Sequence, residues 1–600
     1  MSKELPDFFL IDDNRVYNRK EIADGFNKFF VNVGPSFSDK IPQPADLSYR
    51  DYLNKNINSR FTFEPVHLDD VIKIVQNLKT KASCGYDGLS TKILKYISLD
   101  VSPVLTVIIN QSLFTGIFPD KLKIAKVLPL FKKGKDNIFD NYRPISLLPS
   151  ISKVIEKIVY RQLYDYFNEN NLIYDSQYGF RQLHSTELAA LEITDRISQN
   201  LDKGKLPITI YLDLSKAFDT LNHTILLEKL HYYGVKGTAN NWFRSYLTDR
   251  KQFVSIENHQ SDQMSLNTGV PQGSILGPLL FLIAMNDIHE ASNKFHTVLY
   301  ADDTSLIEPL CTFDATPHSG AYDKQRISIN INNELQRVYD WLCVNKLSLN
   351  IPKTKFMIFH YRQRNITNFI PDIIINGNKI EHVAEFNFLG VVLDENLSFE
   401  PHINKIANKI SRTLGTLSKL KRYLPQHTLV MLYNTLILPH LQYAILCWGY
   451  KTSRLFKLQK RAMRTITLSK YNAHTEPIFK KLNMLKINEM YNISLLKFYF
   501  KFINKCLPKY FMNILHYHEH PYSTRTRDDP IHPRTNTNSA RKSVRNHLPN
   551  FLKNMPQAIT DKITTHSLAS FSKYCKAYYI NMYEYQCHII NCYICSLDDQ

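Results

Sequence analysis

"HTVLYADDTSLIE", residues 296–308, sets two adjacent carboxylates, Asp302 and Asp303, in the middle of an apolar, strand-like run. Like charges side by side repel, and each loses hydration when covered. A fold keeps such a pair only with a cation, a partner or full exposure to offset the cost. From this stretch alone two readings are open. In one, the acids sit on the solvent tip of a hairpin running from Ala301 to Thr304. In the other they belong to a metal site.

A second stretch bears on that choice. In "PITIYLDLSKAFD" (207–219) another apolar strand ends in an acid, Asp213, followed by a turn. Two strands that each deliver an acid at one end can converge three carboxylates on one point. Two divalent ions about 3.5–4 Å apart would there stabilise both the attacking and the leaving oxygen of a phosphoryl transfer. Neither stretch offers a cysteine or histidine beside its acids, and hard oxygen ligands suit Mg2+.

The rest of the chain bounds what such a site acts on. Lys plus Arg number 74 against 55 acids, a formal charge of +19 spread along 600 residues, which favours a polyanionic partner and nucleic acid first. At 44% hydrophobic the chain can bury cores, and its length exceeds what one core organises, so two or three domains are expected. The cysteines lack paired spacing before the last fifteen residues, which argues for a reducing compartment. "MSKELPDFFLIDDN" lacks the layout of a signal peptide, and the longest apolar run, "LGPLLFLIAM", is about half a membrane span. The expectation is a soluble intracellular protein, nuclear or cytoplasmic, with no membrane contact.

Residues 1–60, an amphipathic stretch and then the turn-rich "PSFSDKIPQPADLS", read as an N-terminal extension or linker. Beyond them, helical spacing (Val154, Ile155, Ile158, Val159, Leu163) alternates with short strands at 207–215, 252–257, 295–303 and 386–394, an α+β pattern. After Asp394 the chain turns helical and basic. Residues 519–545, rich in Pro, Thr and Arg, read as a linker before a last helical piece.

Taken in order, "YLDLSKAFDT", "NTGVPQGSILGPLLFLIAMNDI", "LYADD", "NKLSLNIPKTKFMIF" and "FLGVVLDENLSF" resemble the consecutive palm motifs of reverse transcriptases. More narrowly, they resemble those of non-LTR retrotransposons (LINEs) of the jockey, CR1 and L2 kind. Upstream, "KASCGYDGLSTKILK", "LPLFKKGKDNIFDNYRPISLLPSISKVIEK" and "SQYGFRQLHST" resemble the finger motifs of the same elements. The resemblance implies a right-hand polymerase: fingers and palm over 61–380, a primer-grip hairpin and helical thumb-like region over 381–515, and a linker with a C-terminal helical tail over 516–600. It implies an RNA-directed DNA polymerase that copies element RNA by target-primed reverse transcription. Its partners would be an RNA template, a DNA primer or nicked target DNA, and dNTPs, with two Mg2+ ions for which Mn2+ can substitute.

The resemblance also assigns residues. Asp213, Asp302 and Asp303 match the catalytic, metal-binding acids, Asp303 contributing less directly. Lys353, with Lys355 as second candidate, matches a basic group that protonates the leaving pyrophosphate. Arg143 and Lys132, with Lys133, match finger positions that grip triphosphate. Gln272 and Gly273 match the loop against the incoming nucleotide, where glycine permits close backbone approach. Arg181 matches a template or triphosphate contact, a structural ion pair being the alternative. Phe218 matches the ring beneath the sugar, core packing being the alternative. Phe388, Leu389 and Gly390 fall at the primer grip, and Lys405, Lys409, Lys419, Lys421 and Arg422 on the phosphate-tracking thumb.

The likeness has gaps. Finger motifs begin near residue 81, leaving no room ahead for the endonuclease of such elements, and the last hundred residues show no RNase H acid pattern. The expectation is a truncated copy or a nuclease supplied elsewhere. "CHIINCYIC" (587–595) offers Cys587, His588, Cys592 and Cys595 at irregular spacing, which reads as free cysteines ahead of a zinc knuckle. Two rivals stand: an RNA-dependent RNA polymerase, which would show Gly-Asp-Asp, and a catalytically decayed or domesticated copy that binds nucleic acid through the same basic groove.

Overall fold

The strand Leu206–Leu212 is buried along its whole length because alternate side chains serve two cores. Ile208, Ile210 and Leu212 pack with Leu335, Val338 and Trp341 of the helix Gly320–Val344. Tyr211 faces the opposite core, which holds Ala190 and Ile193 of the helix Thr186–Asp202. This strand is the middle of a five-stranded sheet. Asp303–Leu310 and Lys355–Ile358 flank it antiparallel, with His296–Tyr300 and Glu381–His382 at the edges. The computed structural model describes residues 5–583 apart from 12–13, 55–56, 311–319, 365, 367–369, 518–529 and 532; the cysteine-rich stretch 587–595 lies outside the described residues.

A second sheet pairs Ile124–Phe131 antiparallel with Tyr142–Leu147 and parallel with Arg250–Ile256. The helix Arg19–Ser38, capped by the Asn18 side chain, lies on this sheet. Gln252 Nε2 donates to Asn27 Oδ1 at 3.0 Å, and Phe26 packs edge-on against Phe9 and Tyr142. The segment read as an extension or linker thus contains a 20-residue helix that completes a core. Its amphipathic face was legible, but nothing local says which sheet it covers. The helices Ser98–Thr115, Ser150–Glu169, His223–Tyr232, Thr238–Leu247 and Gly277–Met285 share a further core around Trp242, Phe243 and Tyr246.

The hairpin Glu385–Phe388 and Val391–Asp394 leads into the helix Glu400–Leu420, which shares one core with Ser453–Ile466 and Ile487–Ile503. The C-terminal helices, read as a tail, turn back onto the body. Arg545 pairs with the buried Asp195 at 3.0 Å, and Phe571 stacks on Phe500 with centroids 5.0 Å apart. The architecture is a mixture of helix and sheet, as expected. No described helix is long and apolar enough to cross a membrane.

Candidate active site

Strand register gathers the acids. Leu212 lies opposite Thr304, so Asp213 and Asp303, one step further, arrive at the same end of the sheet. Tyr300 pairs with Asp303 across a two-residue turn of Ala301 and Asp302, with Ala301 in the left-handed region at φ 56°. The acids are therefore at a hairpin tip and also beside a third acid.

The electrostatics follow. Desolvation, then repulsion from Asp213, raises the Asp302 carboxyl, while Arg143 and Lys132 oppose the rise. Asp303, the more exposed of the two, is pushed up to about 6 by desolvation and by the charges of Asp302 and Asp213, with no basic group opposing. Asp302 thus shares a field with the basic loop and Asp303 does not. Lys353 Nζ donates to Asp213 Oδ2 at 3.2 Å. Partial desolvation, then Arg143, Lys353 and Lys133, lowers the Lys132 ammonium against the pull of Asp213. Lys355 points elsewhere, into an ion pair with Glu381.

An acid cluster whose members destabilise one another's charge attracts cations, and its oxygen donors suit Mg2+ or Mn2+. As the side chains stand, no three His, Cys, Asp or Glu among the described residues close around a single point. Lys353 holds Asp213 in the meantime.

The other expected residues fall around this centre. Gln272 Nε2 donates to both carboxylate oxygens of Asp219, at 2.8 and 2.9 Å. Gly273, at φ 135°, approaches the strand Tyr142–Leu147 so closely that a Cβ would lie 2.4 Å from Ser146 O, which explains the glycine. Phe218 is partly exposed and stacks on Phe281 with centroids 4.3 Å apart. Arg143 and Lys132 are exposed. Arg181 is folded inward: Nη1 donates to the carbonyls of Tyr174 at 2.8 Å and Gln177 at 3.3 Å. Among the described residues it bonds backbone carbonyls and makes no ion pair. Phe388 is buried, whereas Leu389 and Gly390 form the tip of the hairpin, where Tyr443 Oη donates to Leu389 O.

Three residues escaped the sequence reading. Asp219 orients Gln272, Tyr443 ties down the hairpin tip, and Gln177 reaches the turn of the acids with its side chain. Asp219 and Gln177 lie inside quoted motifs and so carried a sequence signal; Tyr443 carried none.

Adjoining strand ends bring three acids together, with a basic loop in the field of Asp302, and residues 131–393 match the family of reverse transcriptases (RNA-dependent DNA polymerases). The chain is also similar to RNA-directed DNA polymerases of transposons and mobile elements. It is 28% identical over 462 residues to the probable RNA-directed DNA polymerase from transposon BS of Drosophila melanogaster, covering 73% of this chain and 49% of that protein. It is 26% identical over 464 residues to the RNA-directed DNA polymerase from mobile element jockey of Drosophila funebris, covering 75% of this chain and 49% of that protein. A third relative, from transposon X-element of Drosophila melanogaster, is 23% identical over 510 residues, covering 80% of this chain and 53% of that protein. The chain spans about half the length of the curated relatives it matches.

Proposed function

We propose that this chain is the RNA-directed DNA polymerase of a non-LTR retrotransposon, copying RNA into DNA from a DNA 3′ end such as a nick in target DNA. The observation that carries this reading is the arrival of Asp213, Asp302 and Asp303 at one sheet end, with Asp302 in the field of Lys132 and Arg143. In this reading the sheet around Leu206–Leu212 is the palm, and the sheet under the helix Arg19–Ser38 belongs to the fingers. The hairpin at 385–394 is the primer grip, and the helices from Glu400 onward are the thumb.

Asp213 and Asp302 would hold two divalent ions, Mg2+ or Mn2+, with Asp303 at their edge. When bound, the ions stabilise charge on the attacking and leaving oxygens. The chain's own residues do the rest. Arg143 and Lys132 offset the charge of the triphosphate. Gln272, oriented by Asp219, lies against the incoming nucleotide, and Phe218 lies under its sugar. Lys353, once freed from Asp213, holds the proton that the departing pyrophosphate takes up. The exposed face of the helix Glu400–Leu420, with Lys405, Lys409 and Lys419, follows template–primer phosphates.

The test is primer extension on an RNA template with dNTPs and Mg2+ or Mn2+. Template-directed extension supports the reading. Binding of template–primer without extension in either metal overturns it in favour of a decayed copy.

A further inference from the structure

Asp213 and Asp303 are placed by strand pairing, but Asp302 is placed by a turn, and that turn runs through Ala301 at φ 56°. A residue with a side chain enters this region only when its surroundings hold it there. The hold comes from Ser176–Gly179, which runs beside the hairpin. Leu299 N donates to Ser176 O at 2.9 Å and Tyr178 N donates to Leu299 O at 2.7 Å. The Gln177 side chain then reaches the turn itself. Its Oε1 accepts the Ala301 N–H at 3.1 Å and the Gly179 N–H at 2.8 Å.

Two details single out that oxygen. Gln177 is 1% exposed, and its Nε2 is buried with no hydrogen-bond partner among the described residues, so the fold uses the acceptor end of the amide. Gly179 approaches so closely that a Cβ would lie 2.4 Å from Ala301 N. The segment is anchored from behind. Glu192, fully buried, accepts from Tyr178 Oη, from Ser176 Oγ at 3.0 Å and from Arg196 at 2.8 Å, and Arg181 ties the Gln177 carbonyl to the preceding turn.

We propose that Gln177 is a positioning residue of the acid hairpin: by capturing the Ala301 N–H, its carboxamide oxygen fixes the left-handed turn that aims Asp302 and so sets the affinity of the acid cluster for divalent ions. The inference rests on the polymerase reading for its catalytic consequence, though not for metal binding.

The test measures Mn2+ affinity by electron paramagnetic resonance on the full chain with template–primer and a non-hydrolysable dNTP, alongside extension. Gln177→Met keeps the length and removes the acceptor; Gln177→Glu keeps the acceptor. Gln177→Met should weaken Mn2+ binding by about tenfold or more, as supports of metal ligands do, and slow extension at least as much, with template–primer Kd within about twofold. Gln177→Glu should recover most of both. An unchanged Mn2+ affinity in folded Gln177→Met, equal damage in the two variants, or a parent chain that binds no Mn2+ would each overturn the proposal. If Gln177→Met does not fold, Gly179→Ala decides, because its Cβ presses on Ala301 N and should reproduce the loss of affinity; unaltered binding there overturns it too. A parent that binds Mn2+ without extending primers removes the polymerase reading while Gln177 is still judged on affinity.

Discussion

Lys353 Nζ lies 3.2 Å from Asp213 Oδ2, a pair drawn together across 140 positions because Asn350 N donates to Asp213 O at 2.8 Å on the adjoining segment. Both side chains are partly solvated, so the pair is a weak clasp, worth about 1 kcal/mol at most. The clasp competes with metal for Asp213. Lys353→Met should therefore lower the Mg2+ concentration for half-maximal extension while reducing the maximal rate about 10²-fold, the usual contribution of a proton donor. Extension rates across a Mg2+ titration check both directions; a maximal rate equal to the parent's would remove Lys353 from the chemistry.

Asp213→Asn and Asp302→Asn should each slow extension by about 10³-fold or more, because loss of a metal-holding carboxylate forfeits several kcal/mol of transition-state stabilisation. Single-turnover extension measures it. Either variant at parental rate would leave the acid cluster without a catalytic part.

Phe218 presents a partly exposed ring, backed by Phe281 at 4.3 Å. A flat apolar wall under the sugar cannot pair a 2′-hydroxyl, and leaving one unpaired costs about 1–3 kcal/mol, ten- to a hundredfold in rate. Phe218→Val should raise rNTP use relative to dNTP use about tenfold or more. Equal losses for both substrates with a lowered Tm would mean that the ring only packs.

Desolvation pushes the Asp219 carboxyl up to about 6, against the hydrogen bonds from Gln272 and the charge of Lys216. Its value in an unfolded chain is about 3.9, so the native state binds the extra proton between those values. The stability this group confers is complete below about pH 4 and is lost as pH rises through about 6, on the order of 3 kcal/mol. Asp219→Asn should show a smaller fall in Tm between pH 5 and pH 8 than the parent. Identical pH slopes would count against a raised Asp219.

Lys405, Lys409 and Lys419 lie exposed on the helix Glu400–Leu420, opposite Ile406, Ile410, Leu414 and Leu417. Neutralising one phosphate-contacting lysine lowers the slope of log K against log salt by about 1 without altering sequence preference. Each Lys→Ala variant should do so on template–primer. Slopes equal to the parent's would move the nucleic-acid track off this face.

The acid cluster was legible because an apolar strand that ends in an acid is a local pattern, and two of them imply a pair. What covers what was not. The helix Arg19–Ser38 shows its apolar stripe but not its partner sheet, and the union of Arg545 with Asp195 joins residues 350 apart that carry no mutual signal. The engagement of the Arg181 guanidinium with the carbonyls of its own turn was not legible, because nothing in the sequence says which way a side chain folds.

The hairpin at 385–394 is stitched on both flanks. On one side Phe386 stacks on Tyr211 of the central sheet at 3.9 Å; on the other Lys405 Nζ donates to Asn387 at 2.8 Å and Tyr443 grips the tip. A part sewn to both neighbours makes a poor pivot, since any rotation about it would tear one seam. In a cycle of synthesis it would serve as a stationary anvil, and the one-base-pair advance would fall to the duplex sliding across it.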